Sequence, residues 1–112
     1  MAHLIKLTVM YNLPPGADHD EFIKWRTTEH QKDNMSRPGV IKSDFYAIKN
    51  AWKMDEAPYR YMTEVYYPDM ETFKNSFFDP DYQVELAKSL ERISDPVFLI
   101  SEEVISEVVP QE

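Results

Sequence analysis

At 112 residues the chain has room for one small domain, read here as residues 1–112, and none for a second core. Its 43% hydrophobic and 13% aromatic content fits a folded globule and not a disordered segment. A formal net charge of −8 with no local Lys/Arg cluster argues against nucleic acid or an anionic membrane as the partner, and zero cysteines exclude disulfides and thiolate metal sites.

In chain order, "LIKLTVMY" (4–11) sets Ile5, Leu7, Val9 and Tyr11 against Lys6, Thr8 and Met10, the period of a strand with one apolar face. "NLPPGA" breaks it, and Asp18 with Glu21 forms a capping-box-like start for a helix running to about His30 or a turn beyond. "RPG" (37–39) is a turn before a second strand, "VIKSDFYAIK". The loop "NAWKMDEAP" separates it from a third, "YRYMTEVYY", rich in Tyr, Val and Thr. Pro68-Asp69 opens a short helix through "METFKNSFF"; Asp79-Pro80 caps and starts another, "DYQVELAKSLERI". "VFLISEEVISEVV" reads as a long fourth strand with a bend or bulge near Glu102-Glu103.

The order β-α-β-β-α-α-β predicts an α+β, ferredoxin-like fold with a four-stranded antiparallel sheet and the second helix broken in two. Helices cover one face of such a sheet. Nothing in the chain remains to cover the other, so a homodimer with two sheets face to face is the expected assembly. On that second face Lys6, Met10, Met62, Glu64 and Tyr66 make a mixture suited to a pocket closed by the partner. The competing reading is a Lys6–Glu64 salt bridge at a wet seam. Trp52 and Met54, in a polar loop, are expected as a lid over the pocket or a contact with the second subunit.

On a helical wheel with Phe22 at zero, Arg26 falls at about 40°, Glu29 near −20° and His30 near 80°, all inside the apolar arc. Charges there need partners, so Arg26 and Glu29 at i, i+3 are expected to satisfy each other. His30 is then the titratable group, either a general acid or base at a pocket mouth or a cap on the helix C-terminus. Glu29 and Asp33 with His30 offer a weaker alternative, a cation site. His3 and His19 attract no functional reading.

The run "YNLPPGADHDEF", the helix ending in "EH", then "RPGV" and later "EVYYPDMETF" resemble the EthD-domain family of the dimeric α/β-barrel superfamily, over roughly residues 4 to 108. The resemblance implies two ferredoxin-like sheets closing a barrel across a dimer, with a pocket in each subunit. It places the chain beside muconolactone-type isomerases, polyketide cyclases, anthrone decarboxylases, cofactor-free quinone-forming monooxygenases and heme-handling relatives. The family's helix-end histidine falls on His30, but its usual "H-x-P-L" is replaced here by "HQKDNMSRPG".

The expected function is a small cytoplasmic enzyme, independent of cofactors and metals, that moves protons on a cyclic or aromatic oxygenated molecule. His30 shuttles the proton, Arg26 or Lys6 balances carboxylate or enolate charge, and Tyr66 donates to an oxygen. Met10, Glu29, Trp52, Met62 and Glu64 would line the substrate site. The alternatives are a non-catalytic homodimer that binds a small molecule and a cofactor-free quinone-forming monooxygenase.

Overall fold

A computed structural model describes residues 3–111. Four strands, β1 (Ile5–Asn12), β2 (Lys42–Ala47), β3 (Tyr61–Tyr67) and β4 (Ser94–Glu102), form one sheet in the order β2-β3-β1-β4. All neighbours are antiparallel. With helices α1 (His19–Thr27), α2 (Glu29–Met35), α3 (Met70–Phe77) and α4 (Pro80–Leu90) this is the expected ferredoxin-like architecture. Among the described residues no helix is long and apolar enough to cross a membrane.

The alternation of β1 and β3 decides which side is core. Leu7 sits opposite Val65, Val9 opposite Thr63 and Tyr11 opposite Tyr61, and all six are buried beneath the helices. Their rings continue into a stacked set in which Tyr61 meets Tyr11, Phe22 and Phe45. A second aromatic set, Phe73, Phe77 and Phe98, closes the core under α3 and α4. The helix starts are set by side chains: Asp18, Asp69 and Asp79 accept from the backbone N–H of Glu21, Thr72 and Tyr82 at 3.1, 2.7 and 3.3 Å. Gly39, with φ +80°, lies so close to the Thr72 methyl that a β-carbon there would collide with it.

Three expectations change. The first helix is two helices, because Thr28 leaves helical geometry at φ −115°, ψ −86°. The Thr27 and Thr28 hydroxyls donate back to the carbonyls of Ile23 and Lys24 at 2.7 and 2.5 Å, a bonding mode that bends helices. His30 therefore lies in the first turn of α2, not at a helix C-terminus. The fourth strand runs Ser94–Glu102 and stops; the register shift falls where β4 meets Met10 and Asn12, not at Glu102-Glu103. Beyond it Val104, Ile105, Val108 and Val109 are at least 75% exposed.

Candidate functional site

Between the helix face of the sheet and α1, α2 and α4 lies a cavity of about 60 Å³, room for a few waters. Leu7, Val9, Phe22, Trp25 and Phe98 give it apolar walls; Arg26, His30, Asn34, Tyr11, Thr63 and Tyr82 supply the polar groups. Its roof is α4, which contributes Tyr82, Leu86, Ser89 and Leu90 yet has no fully buried side chain. His30, Asn34, Tyr82, Leu86 and Ser89 also line an outer groove between α2 and α4, so the cavity opens there.

Arg26 is 1% exposed and among the largest fully buried side chains. Its Nη1 donates to Gln31 Oε1 at 2.7 Å and its Nη2 to Thr63 Oγ1 at 3.1 Å, while its plane covers the Phe45 ring at 4.6 Å. Gln31 is itself tied to β2, donating from Nε2 to the Ser43 carbonyl at 3.0 Å. Nε–H is buried with no partner. The expected ion pair with Glu29 does not form: the helix break turns Glu29 to solvent, and among the described residues no carboxylate pairs with Arg26. Burial pulls the Arg26 pKa down from its ordinary value, opposed by the nearby Tyr11 phenol.

His30 stacks on Trp25 with ring centroids 4.5 Å apart, and the Arg92 guanidinium lies over the same indole at 4.3 Å. Desolvation first, then the charges of Arg26 and Arg92 against the weaker pull of Asp33, push its pKa down to about 4. At neutral pH the imidazole is uncharged, a proton acceptor and not a donor of positive charge. The Tyr11 hydroxyl shares a 3.2 Å hydrogen bond with Thr63 Oγ1, and burial raises its pKa, so the phenol keeps its proton. Tyr82 is likewise pushed up to about 12 by burial.

Of the residues singled out from sequence, the structure brings His30 and Arg26 to one cavity and leaves the others elsewhere. Lys6, Met10, Met62, Glu64 and Tyr66 lie on the opposite face of the sheet, where Lys6 Nζ meets Glu64 Oε2 at 2.7 Å. The salt bridge of the competing reading is thus present on that face, where Lys6 and Tyr66 also border an open groove of about 330 Å³ with Ser101 and Glu102, while the His30 cavity lies on the helix side. Trp52 is 86% exposed in the 50–58 loop, and that loop borders Leu13 and Arg60, not the His30 cavity. Glu29, His30 and Asp33 do not converge; among the described residues no group of three or more metal-ligating side chains does.

Tyr11 is one of four tyrosines, with Tyr46, Tyr61 and Tyr66, that the sequence offers as phenol donors to a ligand, and it does line the cavity; Asn34, Thr63 and Tyr82 went unassigned. A tyrosine and a threonine within the buried alternation of β1 and β3 each need a polar partner, and that requirement was the available signal. His19, in the first turn of α1, bonds through Nδ1 to the Tyr61 hydroxyl.

Residues 5–104 match the family described as REDY-like protein HapK. No curated protein matches the sequence. Among solved structures the fold is similar to an EthD family protein from Bacillus halodurans, at 20% identity and TM-score 0.73, covering 90% of this chain and 99% of that one. It is also similar to the hydroxynitrile lyase of Passiflora edulis, at 12% identity and TM-score 0.71, covering 98% and 100%. A dimeric ferredoxin-like protein of unknown function from Thermobifida fusca matches at 14% identity and TM-score 0.65, covering 91% and 92%. At such identities these likenesses carry the fold alone. The match over 5–104, with the topology and the EthD-like neighbours, shows that the chain belongs to the REDY-like HapK family of ferredoxin-like proteins.

Proposed function

We propose that the protein is a small, cofactor-independent enzyme that moves protons beside a carbonyl on a cyclic or aromatic oxygenated molecule. Isomerisation, cyclisation or decarboxylation in a catabolic or secondary-metabolic route would all use such a step. The observation that carries this reading is the uncharged imidazole of His30 at the wall of an apolar cavity it shares with the Arg26 guanidinium. His30 takes a proton from the carbon next to the carbonyl, and the electron pair moves onto the oxygen as an enolate. Arg26 offsets that charge, and the Tyr11 phenol takes the donor role first assigned to Tyr66. The protonated imidazole then returns its proton to another carbon, which restores the base.

In this reading residues 1–112 are one EthD-like domain acting in the cytoplasm, and two copies pair through the open faces of their sheets. The mixed apolar and paired-charge character of that face supports the pairing, as does the dimeric state of the Thermobifida fusca neighbour. Trp52 and Met54, exposed beyond the sheet, would then contact the partner subunit.

The direct test is proton exchange in deuterated water with a panel of cyclic ketones and acyl phenols, followed by NMR. Wild-type protein is expected to accelerate loss of the α-proton signal, and His30→Ala to abolish the acceleration while staying folded. Equal rates in the two proteins would sink the proposal.

The outer groove of about 320 Å³, which shares His30 and Asn34 with the cavity, favours one other reading, a homodimer that binds a small molecule without converting it. Native mass spectrometry of freshly purified protein separates them: a retained ligand that shows no exchange supports binding alone.

A further inference from the structure

We infer that the cavity takes its ligand as an organic carboxylate, with Arg26 as the counter-ion. The inference rests on the same cavity as the proton-transfer reading and names the class of molecule it accepts.

A buried charge is costly unless it is paired. The other cations in ion pairs here have acids beside them: Lys6 has Glu64 at 2.7 Å, Lys42 has Asp44 at 3.2 Å and Arg37 has Asp79 at 4.0 Å. Arg26 is more deeply buried than any of them, and its two hydrogen-bond acceptors, the Gln31 amide and the Thr63 hydroxyl, are neutral. A guanidinium carries five N–H donors. Two are used in those bonds, and Nε–H is buried without a partner. The wall around it is built from Val9, Phe22, Trp25 and Phe98, which disfavour a strongly hydrated inorganic anion; at about 60 Å³ the cavity holds the carboxylate end, and a larger apolar skeleton extends into the outer groove. A carboxylate supplies the missing charge and matches the planar donor fork. His30 and Asn34, between the cavity and the outer groove, leave the far end of the ligand beside the imidazole.

The test needs no knowledge of the reaction. Thermal unfolding and the side-chain 1H–15N signals of arginine are followed with millimolar formate, acetate and benzoate, with benzamide as the neutral isostere of benzoate and chloride at matched ionic strength. Carboxylates are expected to raise the melting temperature and shift the Arg26 Nε–H signal, assigned by its loss in Arg26→Gln. Benzamide and chloride should do neither. In Arg26→Gln and Arg26→Met the preference for benzoate over benzamide should fall at least tenfold, while Lys42→Gln, on the opposite face of the sheet, keeps it. Equal responses to benzoate and benzamide, a preference that survives in both Arg26 variants, or no response to any carboxylate would overturn the inference. Because the readout is binding, its failure leaves the proton-exchange result standing, and loss of exchange in His30→Ala leaves carboxylate binding standing.

Discussion

The two faces of the sheet carry similar kinds of residue and use them in opposite ways. On the open face Lys6 meets Glu64 and Lys42 meets Asp44, so each cation has its acid within the chain and water nearby. On the helix face Arg26 is buried among aromatic rings with only neutral acceptors. Density of charge is therefore a poor guide to the candidate site in this fold. A single charge held where it costs most, and left unmatched, is the better one.

That contrast can be broken in four ways, taken from the largest effect down. Phe73→Ala removes a fully buried ring from the helix face, and a urea melt should show a loss of about 3–5 kcal/mol. A much smaller loss would mean that this face is not the load of the fold.

The second concerns pH. The His30 pKa falls from 6.5 when unfolded to about 4 when folded. The folded state thus favours the neutral ring, and the unfolded chain binds the extra proton first. Stability from this group is intact above about pH 6.5, declines as pH drops, and is fully lost below about pH 4, by about 3 kcal/mol. His30→Phe should flatten that part of the stability curve, measured by denaturant melts from pH 7 to pH 4.5; an unchanged slope would place the titration elsewhere.

Third, Thr63→Val removes the acceptor of Arg26 Nη2 and the partner of the Tyr11 hydroxyl. It should cost about 1–3 kcal/mol, since a donor on a buried charge is left unmet. Fourth, Lys6→Met on the open face should change stability by less than about 1 kcal/mol, because the pair it breaks is partly exposed. If Lys6→Met proved as damaging as Thr63→Val, the distinction between the faces would collapse.

How much of this was legible can be seen residue by residue. The strands were legible because Ile5, Leu7, Val9 and Tyr11 alternate, and the helix starts because Asp18, Asp69 and Asp79 are caps with few other uses. Arg26 and His30 were legible as polar residues inside an apolar arc. The break at Thr28 was not, because two threonines read as ordinary helix residues until their hydroxyls bond backwards to Ile23 and Lys24. That break also removed Glu29 from the site. The open face was legible only as two readings, because a strip of methionine, tyrosine and charge has the same composition whether it lines a pocket or a seam; the salt bridge of the second reading is present.

The exposed segment beyond β4 bears on how these tests are run. Val104, Ile105, Val108 and Val109 are β-branched and follow a strand whose outer edge has no neighbour among the described residues. Glu102, Glu103 and Glu107 are interleaved with them as gatekeepers, keeping copies apart by charge. Their protection is electrostatic and therefore salt-labile: as ionic strength rises the repulsion is screened, and the tail becomes a sticky β-prone ribbon. Association through this tail is thus a salt effect, and light scattering on dilute samples at the ionic strength of each melt separates it from unfolding.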